Sequence, residues 1–156
     1  MLRHSLHLPL PNLESDMSLT SWSRTTAPAG VFLVRLLVSS VFISEGIQKF
    51  VFPATLGFGR FARIGIPYPH ISAPLVGTVE VVFGGLILLG LFTRLATIPL
   101  LAVITVAIWT TKLPLVHQGM WAAAHESRTD WSMLLCLLFL LIVGAGSISV
   151  DNSLRG

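Results

Sequence analysis

Four stretches of this chain, residues 30–51, 71–92, 95–113 and 130–148, run nearly without interruption through apolar side chains. Each is close to the length of about 20 residues that a helix needs to cross a hydrocarbon core of about 30 Å. Inside that core the backbone finds no water to bond, so only helices and closed barrels can span it. Strand alternation is absent, and a barrel would need many alternating segments of about ten residues. The expected fold is therefore all-α, a four-helix transmembrane bundle in contact with a lipid bilayer. Composition agrees: 53% of residues are hydrophobic, 11% are charged, and mean hydropathy is +0.81, outside the range of soluble domains.

The formal charge of +3 does not point to nucleic acid, because the ten Lys and Arg are scattered and most sit at span ends, where they anchor helices to headgroups. Cys136 is the single cysteine, which removes an intramolecular disulfide, a CxxC pair and a cysteine metal cluster together. Residues 1–28 are polar, rich in Pro, Ser and Thr, and contain no apolar signal core. They read as a flexible tail before a membrane domain over 29–151, with a short tail at 152–156. Met17 reads as an alternative start to Met1.

Threading the chain from the side that holds the tail, the near side, places the 52–70 loop on the far side. Thr93 and Arg94 then form a tight hairpin on the near side, the 114–129 loop returns to the far side, and both termini share the near side. With the charges assigned to the interior set aside, Arg24, Arg94 and Arg155 there outnumber Arg60 and Arg63 on the far side, which makes the near side cytoplasmic under the positive-inside rule. Trp109, Trp121 and Trp131 fall at the far boundary, as an interfacial aromatic belt requires.

Ionisable groups inside the spans carry the functional interest, because each costs roughly 2.5–3.5 kcal/mol at mid-membrane on insertion scales. Arg35, Glu45, Gln48, Lys49, Glu80 and Lys112 form a candidate intramembrane polar cluster. Glu45 and Lys49, four apart with the acid first, suit an ion pair; the alternative is that Lys49 reaches far-side headgroups and Glu45 merely neutralises it. Ala73, Gly77, Glu80 and Gly84 share one face of the second span, so Glu80 should point at a closely packed helix and meet Lys49 or Arg35, or else be protonated. Whether it fixes helix register or serves as a proton or ligand site stays open.

His125, Glu126, Arg128 and Asp130 form a candidate far-side mouth. Ser127 and Asp130 also fit a capping box opening the fourth helix. No metal site is expected, since HExxH and CxxC spacings are missing. No histidine lies deep enough in a span to hold haem. Arg60, Phe61 and Arg63 lie in an aromatic and basic loop bounded by prolines, which predicts a short interfacial helix between spans one and two, either a lid or a surface anchor.

Five pieces in order, LLVSSVFISEGIQKFVFP, GRFARIGIPYP, GTVEVVFGGLILLGLFTRLA, TTKLP and HESRTDWSMLLCLLFLLIVGAG running to Asp151, resemble the DoxX family of small bacterial membrane proteins over roughly residues 31–151. The resemblance implies a four-helix bundle in the bacterial inner membrane. It also implies service to a soluble or membrane redox partner, some relatives being described as subunits of a thiosulfate to quinone oxidoreductase. It carries no catalytic residue set onto this chain, and without a thiol pair any electron transfer would need a bound quinone or a partner's redox centre. Three functions are thus in view: a quinone-linked membrane subunit, a small proton-linked transporter, and a scaffold.

Overall fold

Helices appear wherever the apolar runs leave the backbone no other partner. The structure, a computed structural model, describes residues 29–154; the tail at 1–28, with the start at Met17, lies outside the described residues. The elements are α1 (Val31–Val51), α2 (Phe58–Arg63), α3 (Pro69–Leu89), α4 (Thr93–Ala107), a π segment (Ile108–Lys112), a 3-10 segment (Leu113–Gln118), α5 (Met120–Val143) and the single turn α6 (Val150–Ser153). There is no strand among the described residues, and α2 is the short helix expected between the first two spans.

The four long helices pack as a ring, α1 on α3, α3 on α4, α4 on α5, and α5 back on α1. Their shared core, including Val38, Ile87, Leu100, Leu137 and Leu140, lies toward the near end. Val31–Val51, Pro69–Leu89 and Thr93–His117 are long and apolar enough to cross a membrane. α5 has the length, with 24 residues, but Glu126, Arg128 and Asp130 interrupt its first half, and its long uncharged run is Trp131 to Val143.

That fourth helix departs most from expectation. It begins at Met120 and ends at Val143, where a span over 130–148 was anticipated. Gly119, at φ +135°, releases the chain from the 3-10 segment, and the Ala, Met, Glu and Arg that follow favour helix. Gly144 and Gly146, both at positive φ, then end it. Ser127 and Asp130 are consequently inside the helix and form no capping box; Ser127 Oγ donates instead to the Ala123 carbonyl at 2.7 Å.

The near end is closed by backbone bonding. α3 stops at Gly90, which takes φ +70°; its N–H donates to Ile87 O and that of Leu91 to Leu86 O, a Schellman arrangement. The α3–α4 turn therefore comprises Gly90, Leu91 and Phe92, and Thr93 and Arg94 belong to the first turn of α4. Arg35, 1% exposed, donates Nε to Ile87 O, Nη2 to Leu88 O, and Nη1 to Ala145 O and Ile148 O. Those carbonyls end α3 and line the segment after α5, so one guanidinium serves orphan acceptors from two helices. Asp151 accepts from the N–H groups of Phe92 (2.9 Å) and Thr93 (3.3 Å), acting as a cap for α4 from 58 residues away. It lies in α6, so the boundary anticipated after residue 151 falls within that turn. Both ends of the described chain thus meet at the same end of the bundle.

Small residues set the closeness of α1 and α3. A Cβ on Gly46 would lie 2.7 Å from the Gly77 carbonyl oxygen and 2.8 Å from Val81 Cγ2, whereas one on Gly85 would meet nothing within 4 Å. Gly46→Ala is expected to cost about 1–3 kcal/mol through overpacking, with Gly85→Ala within about 0.5 kcal/mol of the native chain; unfolding midpoints in mild detergent check the contrast. Asp151→Ala should cost about 0.5–2 kcal/mol, as lost helix caps do, and should raise amide hydrogen exchange first at Phe92 and Thr93.

Candidate functional site

At the far end the core gives way to a cavity of about 530 Å³ bounded by α1, α2, α3, α4, the π segment and α5. Its inner walls are apolar, with Val41 and Phe42 from α1, Val103 and Ile104 from α4, and Met133 from α5. Seven ionisable side chains line the rest: Lys49, Arg60 and Lys112 against Glu45, Glu80, Glu126 and Asp130. Three cations facing four carboxylates leave the enclosure close to electroneutral.

The central contact is a buried ion pair. Lys49 Nζ lies 2.6 Å from Glu80 Oε2, with side chains 10% and 6% exposed. Glu45 Oε2 is 3.8 Å from the same ammonium and its side chain is 50% exposed; Lys49 also donates to the Glu45 carbonyl at 3.3 Å. Lys49 is therefore turned into the bundle instead of reaching outward to headgroups, and its main partner is 31 residues away instead of four. The glycine seam produces this geometry, because Gly46 abuts both Gly77 and Glu80 Cβ and so delivers the Glu80 carboxyl beneath Lys49.

A second pair closes the opposite wall. Lys112 Nζ sits 3.3 Å from Asp130 Oδ2, both side chains being mostly buried. Lys112 ends the π segment, a local underwinding that re-aims side chains and recurs at functional sites; Thr110 and Thr111, on the same segment, also face the cavity. Their hydroxyls donate to the Val106 and Ala107 carbonyls, which leaves oxygen lone pairs free to accept. The Arg60 and Glu126 side chains line the cavity without a hydrogen bond or ion pair to another described side chain. They are an open donor and an open acceptor. Phe61, 7% exposed, anchors α2 to the bundle, and Phe58 stacks on His70 at 4.5 Å between centroids, pinning α2 to the start of α3.

The candidate residues thus fall into three places. Glu45, Lys49, Glu80, Lys112, Glu126, Asp130, Arg60 and Phe61 share the cavity. Arg35 belongs to the near-end closure, about 21 Å from Lys49 along α1, and takes no part. Gln48 donates to Ser44 Oγ within α1, Arg63 donates to the carbonyls of Ala54 and Thr55, and His125 and Arg128 face each other at 3.5 Å on the exposed side of α5. None of these four lines the cavity. Among the described residues no group of three or more His, Cys, Asp or Glu could hold a metal ion. Sequence reasoning missed Thr110 and Thr111, whose inward aim depends on the π segment, and assigned Asp151 no role; an Asp just beyond a glycine-broken helix was the available signal.

Comparison with known proteins fits this architecture. The family model described as DoxX matches residues 30–113. An uncharacterized membrane protein of Mycobacterium tuberculosis, Rv3486, is 50% identical over 144 residues, covering 86% of this chain and 88% of that protein. A Bacillus subtilis protein carrying the name "Putative oxidoreductase CatD" is 27% identical over 123 residues, 78% of this chain and 84% of its own. An uncharacterized protein of Haemophilus influenzae is 31% identical over 128 residues, 80% and 90% of the two chains. No solved structure matches.

Removing one partner of a buried pair strands the other charge, which costs about 3–5 kcal/mol, whereas replacing both is often close to neutral. Lys49→Met and Glu80→Leu should each lower the unfolding midpoint sharply, and the double variant should recover most of the loss. Additive losses in the cycle would show that the two side chains do not interact in the folded protein.

Proposed function

The chain belongs to the DoxX family, and we propose that it is a quinone-binding membrane subunit that serves a redox partner protein. The observation that carries this reading is one cavity joining apolar walls to the Lys49–Glu80 pair inside the membrane-spanning bundle. Its volume lies within the range of roughly 300–1,000 Å³ of small-molecule sites, which are mostly apolar with a few convergent polar groups. A quinone ring is flat, neutral and apolar on its faces, with a carbonyl oxygen at either end that accepts a hydrogen bond. The near-neutral lining suits such a ligand better than an ion.

A bound quinone supplies a two-electron acceptor that takes up two protons on reduction to the quinol. Lys49 has a third ammonium hydrogen beyond those directed at Glu80 and at the Glu45 carbonyl, so it can hold a carbonyl oxygen and orient the ring. Glu80 keeps that ammonium aimed inward. Glu45, half exposed beside Lys49, is placed to exchange protons with the far side, and Arg60 offers a second donor from α2. The chain has one cysteine and hence no dithiol for carrying electrons, so the partner is assigned the supply of electrons. The word oxidoreductase in the name of the Bacillus subtilis relative supports this direction. The reading sets the bundle in the bacterial inner membrane with its near end cytoplasmic, following the arginine bias.

The full chain purified in mild detergent is expected to release about one quinone per protein on solvent extraction. Stripped protein should rebind a benzoquinone, with Lys49→Gln and Glu80→Gln each weakening binding ten-fold or more while the Gln48→Ala control stays within two-fold. Absence of both retained and rebound quinone would overturn the proposal. PH-dependent solute uptake by proteoliposomes would then favour a transporter, and loss of stability alone in the variants would favour a scaffold.

A further inference from the structure

We infer that the cavity opens sideways into the bilayer between α3 and α4, and that the ligand is a long-chain, lipid-borne quinone whose isoprenoid tail leaves through this gap. The inference rests on the quinone reading above and adds the class of substrate and its route. It begins from α4, where Leu95, Ile98, Ala102 and Val106 recur at helical spacing and are all exposed, marking the face turned away from the bundle. Ala102 and Val106 of that stripe also line the cavity, together with Val103 and Ala107 on the adjoining flank. A residue on the outer face can border an internal cavity only where the cavity reaches that face.

The neighbouring helix borders the same gap. α3 and α4 are bound together at the near end by the Gly90–Phe92 turn. Toward the far end, the glycine seam holds α3 against α1, and the flank of α4 beyond Pro99, with Ala102, Val103, Val106 and Ala107, lines the cavity. Val76 and Glu80 of α3 border the cavity opposite it. The depth is also right: Ala102 lies about 14 Å along α4 from the turn, and Glu80 about 14 Å back along α3 from its end, so the opening is level with the ion pair and within the hydrocarbon. A polar site with an apolar opening at mid-membrane depth matches a molecule with a polar ring and a lipid tail. A water-soluble substrate would need only the far mouth.

The test uses the full chain in lipid nanodiscs with two probes, 2,3-dimethoxy-5-methyl-1,4-benzoquinone without a tail and its decyl-substituted form, binding being corrected against empty nanodiscs. Ala102→Trp should weaken the decyl probe ten-fold or more and leave the tail-less probe within two-fold, and Val106→Trp should do the same one turn away. A decyl quinone carrying a photoreactive diazirine at its tail end should label the native chain on residues 76–83 and 99–106. Equal loss of both probes, no loss of either, or labelling confined to other segments would overturn the sideways opening and leave the quinone site standing. Failure of the native chain to bind either probe would overturn both.

Discussion

The contact of Gly46 on the Gly77 carbonyl governs the far half of this molecule. With no Cβ on either residue, α1 and α3 approach until backbone meets backbone, a closeness that small residues make available between helices in lipid. Glu80 arrives under Lys49, so that neither charge is left alone in an apolar setting, and the cavity lies beside the pair.

The two ends of the bundle solve the same polar problem in opposite ways. Near the termini of the described chain, Arg35 and Asp151 spend their hydrogen bonds on backbone carbonyls and amides at helix ends, which fastens the turn, the segment after α5 and α6 into one block. At the far end, side chains bond to side chains across helices, and Arg60 and Glu126 keep groups unengaged. Backbone-directed bonding builds a fixed closure. Bonds between ionisable side chains can rearrange when a ligand or proton arrives, so the open end is the part of the bundle able to respond to one.

Much of this was legible in the chain itself. Apolar length gave the helices, and the stripe of Ala73, Gly77, Glu80 and Gly84 foretold that Glu80 would face a close neighbour; Lys49 was one of the two cations named for it. What spacing could not give was the choice between them. Arg35 and Lys49 both lie on α1, and the register of α1 against α3, fixed by Gly46 on Gly77, selects Lys49 and leaves Arg35 at the helix ends. The start of α5 was misread because His125 to Asp130 look like loop by charge, whereas Ala122 to Ala124 and Glu126 propagate helix through them. Polarity marks where a helix leaves lipid, and that need not be where the helix ends. The π segment was equally hidden, since a single extra residue per turn leaves no mark on apolar periodicity.

Charge balance separates the chemistries this cavity can host. A site for an anion gathers unpaired cations and a cation site gathers carboxylates, in each case with an excess that the ligand neutralises. Here Lys49 is matched by Glu80 and Lys112 by Asp130, Arg60 and Glu126 are unengaged and of opposite sign, and Glu45, half exposed beside Lys49, adds one carboxylate. An anion entering would meet no surplus cation in a space with Val, Ile, Phe and Met walls, at the desolvation cost that keeps lone charges out of such surroundings. A neutral molecule that accepts hydrogen bonds at its ends and is apolar between them meets no such penalty. The pairing of its ionisable groups, more than their number, suits the cavity to a largely neutral ligand better than to an anion.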